Sequence, residues 1–79
     1  MINKFFLNGK LKKIPKKYEA KLEVFDFFSD KFEINRQYSE KEVNEILNEY
    51  FEDYVTLRRY LVDFKYLIRD RYGKFYEKK

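Results

Sequence analysis

The side chains best suited to chemistry in this sequence are cations, not nucleophiles or metal ligands. The adjacent pair Arg58-Arg59 lies in the run DYVTLRRYLVD, and Arg69, Arg71 and Lys74 follow it closely. A second basic cluster, Lys12, Lys13, Lys16 and Lys17, lies near the amino end. Such side chains neutralise phosphates, and arginine also presents paired donors that match a guanine edge. The chain holds no His and no Cys. The usual general base, zinc ligands and disulfide framework are therefore missing. No Gly-rich phosphate loop occurs, and the carboxylates fall on helix faces open to water. The residues describe a binding module, not an enzyme, and no cofactor or metal is expected.

Charge is unevenly spread. Residues 1–17 carry Lys4, Lys10, Lys12, Lys13, Lys16 and Lys17 and no acid, whereas residues 18–64 carry a net excess of acids. Basic character returns in residues 65–79, and the whole chain sums to +4. Two readings stay open: a lysine-rich solvated surface, or two basic ends that converge on a polyanion.

The elements that must position these cations follow from spacing. A chain of 79 residues is one domain, 1–79, near the lower limit for folding on a single core. Aromatic residues make up 22% of it, and large rings compensate for small size. Residues 1–14 form a basic arm or hairpin, since Asn8-Gly9 between apolar neighbours is a strong hairpin signal. A short helix before Asn8 is the alternative. Residues 15–79 form the core. Pro15 suits the first turn of a helix. From there Tyr18, Leu22, Phe25, Phe28 and Phe32 make one apolar stripe on a helix over 16–31. Ser39-Glu40-Lys41-Glu42 reads as a capping box, with Tyr38 as a bridge of strand and a staple to Val43. The second helix then shows Val43, Ile46, Leu47 and Tyr50 at helical spacing.

Asp53 is a natural N-cap for a third helix, whose Tyr54, Leu57, Tyr60, Leu61 and Phe64 point inward. Val55, Thr56, Arg58, Arg59, Val62 and Asp63 are left facing outward. A hairpin over 67–76 turns near Tyr72-Gly73, with Phe75 and Ile68 (or Leu67) closing the core. The fold class is α+β: a small winged helix-turn-helix of three helices with a C-terminal β-hairpin wing and an N-terminal strand or hairpin. No apolar run approaches the roughly 20 residues that span a bilayer, and no signal peptide opens the chain. A cytoplasmic location without membrane contact is expected.

Four motifs carry a resemblance: Gly9-Lys10-Leu11 with Ile14-Pro15 and Lys17; Tyr38-Ser39-Glu40-Lys41-Glu42-Val43-Asn44; Asp53 with Leu57-Arg58-Arg59 and Leu61-Val62-Asp63; and Leu67 with Arg69-Asp70. On these the chain resembles a bacterial domain-of-unknown-function family found alone or fused behind arsenical-repressor-like winged-helix regulators. The resemblance implies a winged-helix-like fold and an association with transcription regulation. It implies no biochemical activity. Lys65 stands where such domains usually carry Gly, at a position that prefers left-handed φ.

Two functions are weighed. In the first, the third helix reads DNA through Thr56, Arg58 and Arg59, while Arg69, Arg71, Lys74, Lys12, Lys13, Lys16 and Lys17 hold phosphates. Glu52 and Asp63 flank that face and oppose it, and Arg58 could instead pair with Glu45 or Glu49. In the second, the domain is a protein-interaction or dimerisation module. Its centre would be Val55 and Val62 or the Phe5-Phe6-Leu7 segment, and its partner a second copy or a regulator domain.

Overall fold

Asn8 and Gly9 take positive φ of 54° and 79°, the paired left-handed conformations that a two-residue hairpin turn needs. In the computed structural model, which describes residues 2–79, they join strands β1 (Phe6–Leu7) and β2 (Lys10–Leu11). The expected hairpin forms, and a short 3-10 helix, Ile2–Phe5, precedes it. Leu11 is buried, and its N–H donates to the Tyr50 carbonyl at 2.6 Å. That bond satisfies an acceptor left over near the end of the second helix.

Helix α1 spans Tyr18–Ser29, shorter at both ends than the spacing predicts. Lys17 is its N-cap, so Pro15 lies ahead of the helix, where it is buried, and not in the first turn. Tyr18 is 61% exposed and does not join the core. Its ring only skirts Phe64, with centres 6.2 Å apart. The buried face is Val24, Phe25 and Phe28, with Phe32 just beyond the helix. Phe25 meets Phe64 and Tyr66 edge-on at 5.0 and 5.8 Å. Such pairs add about 0.5–1.5 kcal/mol each beyond the area they bury.

Strand β3 (Gln37–Ser39) leads directly into helix α2 (Glu40–Asn48). The capping box is complete: Ser39 Oγ accepts from the Glu42 N–H at 3.1 Å, and Glu42 Oε1 accepts from the Ser39 N–H at 2.9 Å. Helix α3 (Tyr54–Asp63) begins at Asp53, whose carboxylate accepts from the Thr56 N–H at 3.3 Å. Val43 and Leu47 of α2, and Leu57 and Leu61 of α3, are wholly buried.

Lys65 ends α3 with φ of 68°. Its N–H donates to the Val62 carbonyl at 3.0 Å and the Tyr66 N–H to the Leu61 carbonyl at 2.8 Å. These two bonds make a Schellman ending, which normally places Gly where Lys65 stands. The lysine accepts the left-handed conformation, and the chain turns at once into the sheet.

Strands β4 (Leu67–Arg69) and β5 (Phe75–Lys78) complete an antiparallel sheet in the order β3-β5-β4. Arg69 and Tyr38 both pair with Tyr76, and Ile68 pairs with Glu77. Leu67 and Tyr76 are buried, while Ile68 and Phe75 stay 46% and 48% exposed. The expectation that Phe75 and Ile68 close the core is therefore corrected. Alternate strand residues face opposite sides, so a placement wrong by one residue inverts the whole strand. Leu67, held as the alternative to Ile68, is the buried member. Among the described residues no helix is long and apolar enough to cross a membrane.

Candidate nucleic-acid interface

Burying Leu57 and Leu61 fixes how α3 is rotated about its own axis. Val55, Arg59 and Val62, at helical spacing on the other side, then form an outer wall. The second wall comes from the hairpin. Arg69 shares the inward sheet face with Tyr76, its direct cross-strand partner. Between the walls lies an open groove of about 550 Å³, lined by Val55, Arg58, Arg59, Val62, Asp63 and Arg69, with Tyr76 at its floor.

The three arginines differ in what holds them. Arg58 is the most restrained, its side chain only 14% exposed. Its Nη1 donates to Asn44 Oδ1, and its Nη2 lies 3.6 Å from Glu40 Oε1. The same Glu40 oxygen accepts from the Tyr76 hydroxyl at 2.9 Å. Burial pushes the Tyr76 phenol above its ordinary pKa, and the bond to Glu40 adds to this. Arg58 thus ties α2, α3 and β5 together beneath the groove. Its acidic partner lies on α2 as anticipated but is Glu40, not Glu45 or Glu49. Glu40 and Asn44 stand four residues apart on one side of the buried Val43–Leu47 stripe, where α3 crosses. Glu45 and Glu49 line a separate recess beside Lys31 and Arg36.

Arg69 is steered by Tyr76 and by the turn after it. Arg69 stands directly across the strands from Tyr76, and a Cβ placed on Gly73 would lie 3.4 Å from Arg69 Nη1. Arg59 is exposed and makes no ion pair or hydrogen bond among the described residues. It is the least committed cation of the groove.

The β4–β5 turn is rigidly built. Asp70 Oδ1 accepts from the N–H groups of Lys74 and Phe75 at 2.6 and 2.9 Å, and the Gly73 N–H donates to the Asp70 carbonyl at 3.1 Å. These donors, Phe75 foremost, hold the Asp70 carboxyl below its ordinary pKa. Gly73 has φ of 71°, which glycine adopts without strain. Arg71, Tyr72 and Lys74 project from this turn, all exposed.

Of the residues singled out from sequence, Arg58, Arg59 and Arg69 share the groove, and Arg71 and Lys74 sit on the turn that adjoins it. Thr56 does not line it; its backbone N–H serves the Asp53 cap. Lys12, Lys13, Lys16 and Lys17 are exposed on the connector between β2 and α1, and none lines the groove. Glu40, Asn44 and Tyr76 were missed. Their only sequence signal is the position of Glu40 and Asn44 beside the apolar stripe of α2.

A small α+β domain with an arginine-lined groove between its third helix and its terminal hairpin is thus defined. Residues 10–78 match the model of the family described as "Uncharacterized protein conserved in bacteria (DUF2087)", and the chain belongs to that family. No curated protein and no solved structure matches it.

Proposed function

We propose that this is a winged-helix module that binds DNA largely without sequence preference, in the service of transcription regulation in the cytoplasm. After the N-terminal hairpin, the order α1, β3, α2, α3, β4, β5, with these three strands in one antiparallel sheet, supports the winged-helix assignment. One observation carries the binding reading: Arg59 and Arg69, from separate elements, face a single open groove whose far side rises into a turn bearing Arg71 and Lys74. A phosphate backbone lying along the groove and the turn would meet all four cations. Arg58 contributes field and shape but is already engaged by Glu40 and Asn44. Base readout therefore falls to Arg59 alone, and one such residue discriminates weakly.

The test is fluorescence anisotropy of a labelled duplex at low and moderate salt. Binding is expected at low salt and should weaken steeply as salt rises. Arg59→Ala together with Lys74→Ala should reduce the salt slope by about one for each phosphate that is no longer neutralised. Absence of binding at low salt would overturn the reading. It would favour the second one, an interaction module, for which the specific observation is the outer sheet face, where Ile68 and Phe75 stand half exposed beside a shallow recess. Light scattering on the same sample reports whether that face pairs two copies.

A further inference from the structure

We propose that Tyr72, at the tip of the β4–β5 turn, is a base-stacking element. This rests on the nucleic-acid reading above and adds a contact to the bases themselves. Tyr72 is the most exposed of the large apolar side chains among the described residues, at 75%. A tyrosine standing free in water has no structural task here, because the core beneath the hairpin is closed by Leu67 and Tyr76.

Three observations point to a nucleobase as the occupant. The first is charge: Arg71 and Lys74 stand on the same turn as Tyr72, one and two residues from it, and both are exposed, so the turn that carries the ring also carries two cations suited to phosphates. The second is rigidity. Asp70 holds the turn through the Lys74 and Phe75 N–H groups, so little backbone entropy is lost when the ring is covered. The third is continuity with the groove. A Cβ placed on Gly73, next to Tyr72, would lie 3.4 Å from Arg69 Nη1 and 3.8 Å from Glu40 Oε1, so the turn approaches the groove's own lining and support. A strand held along α3 therefore arrives at the tip. An aromatic face flanked by cations is how proteins hold bases by stacking, which tolerates any sequence because every base has a π-face. The base is either unpaired or exposed where a flexible duplex step opens.

The chain contains no tryptophan, so Tyr72→Trp introduces a single indole whose emission reports on the tip alone. Ile34→Trp, in the loop after α1, serves as the control. Each is titrated at low salt with a short duplex, a thymidine oligomer and heparin, a polyanion without bases. Quenching of the Tyr72→Trp emission by nucleic acid, absent with heparin and absent in Ile34→Trp, is the expected result. Quenching by the oligomer alone assigns an unpaired base, and quenching by the duplex assigns an opened step. Tyr72→Ala should weaken nucleic-acid binding about tenfold, in line with stacking on one base, and leave heparin binding unchanged. Equal quenching by heparin, or nucleic-acid affinity of Tyr72→Ala within about twofold of the parent, would overturn the stacking role and leave the phosphate-binding reading standing. If the unmutated protein binds neither nucleic acid, both fall together.

Discussion

The Tyr76 hydroxyl donates to Glu40 Oε1 at 2.9 Å, joining the central strand of the sheet to the first turn of α2. Arg58 approaches the same carboxylate from α3. One acid thus links both helices to the sheet beneath the two walls of the groove.

The two adjacent arginines should separate cleanly on mutation. Arg58→Ala loses the bond to Asn44 and the ion pair to Glu40 and should cost about 1 kcal/mol of stability, measured by urea unfolding. Arg59→Ala should change stability by less than about 0.5 kcal/mol. It should weaken DNA binding all the same. Equal effects of both on stability would contradict the division of labour.

Lys65→Gly should stabilise the fold by about 0.5–1 kcal/mol. The position has φ of 68°, and its side chain is exposed. Glycine relieves the left-handed cost, although its freer unfolded chain offsets part of the gain. A thermal melt that falls on this substitution would show that the lysine stem contributes packing.

Ser39→Ala should cost about 1 kcal/mol through loss of the α2 cap. The same box sets an acid limit. The Ser39 N–H foremost, and Arg36 beside it, hold the Glu42 carboxyl below its ordinary pKa, and the Phe75 and Lys74 N–H groups do the same for Asp70. A depressed folded pKa gives stability that is fully present above the unfolded value and lost as pH falls through the folded one. Stability should therefore be level near neutrality and decline below about pH 4, where unfolded carboxyls begin to protonate. In Glu42→Gln the decline, followed by urea midpoints against pH, should be shallower.

Neighbouring positions of β4 should differ sharply. Leu67 is 1% exposed, so Leu67→Ala should cost about 2–5 kcal/mol. Ile68→Ala, on the open face, should stay within about 0.5 kcal/mol. The reverse order would mean that the strand register is shifted by one residue.

Much of the local structure was legible in the residues. Asn8-Gly9 specifies its turn because both positions need positive φ, and the Ser39–Glu42 box and the Asp53 cap place two helix starts through bonds spanning three residues. The spacing of Val43 and Leu47, and of Leu57 and Leu61, marks their buried faces. The site was less legible. Arg58 and Arg59 look alike in sequence, yet one is nearly enclosed and the other open, because the difference of about 100° between adjacent helical positions acquires meaning only against a neighbour.

What the sequence determined by itself is therefore what short-range physics decides: the Ser39 and Asp53 caps, the Asn8-Gly9 turn and the apolar stripes of α2 and α3. The tertiary structure alone decided that Glu40, not Glu45 or Glu49, receives Arg58, that Leu67 and Tyr76 close the sheet, and that Arg69 meets Arg59 across one groove. These depend on the angle at which α3 crosses α2 and on strand register. Both are set by packing between segments distant in the chain, and no local pattern encodes them.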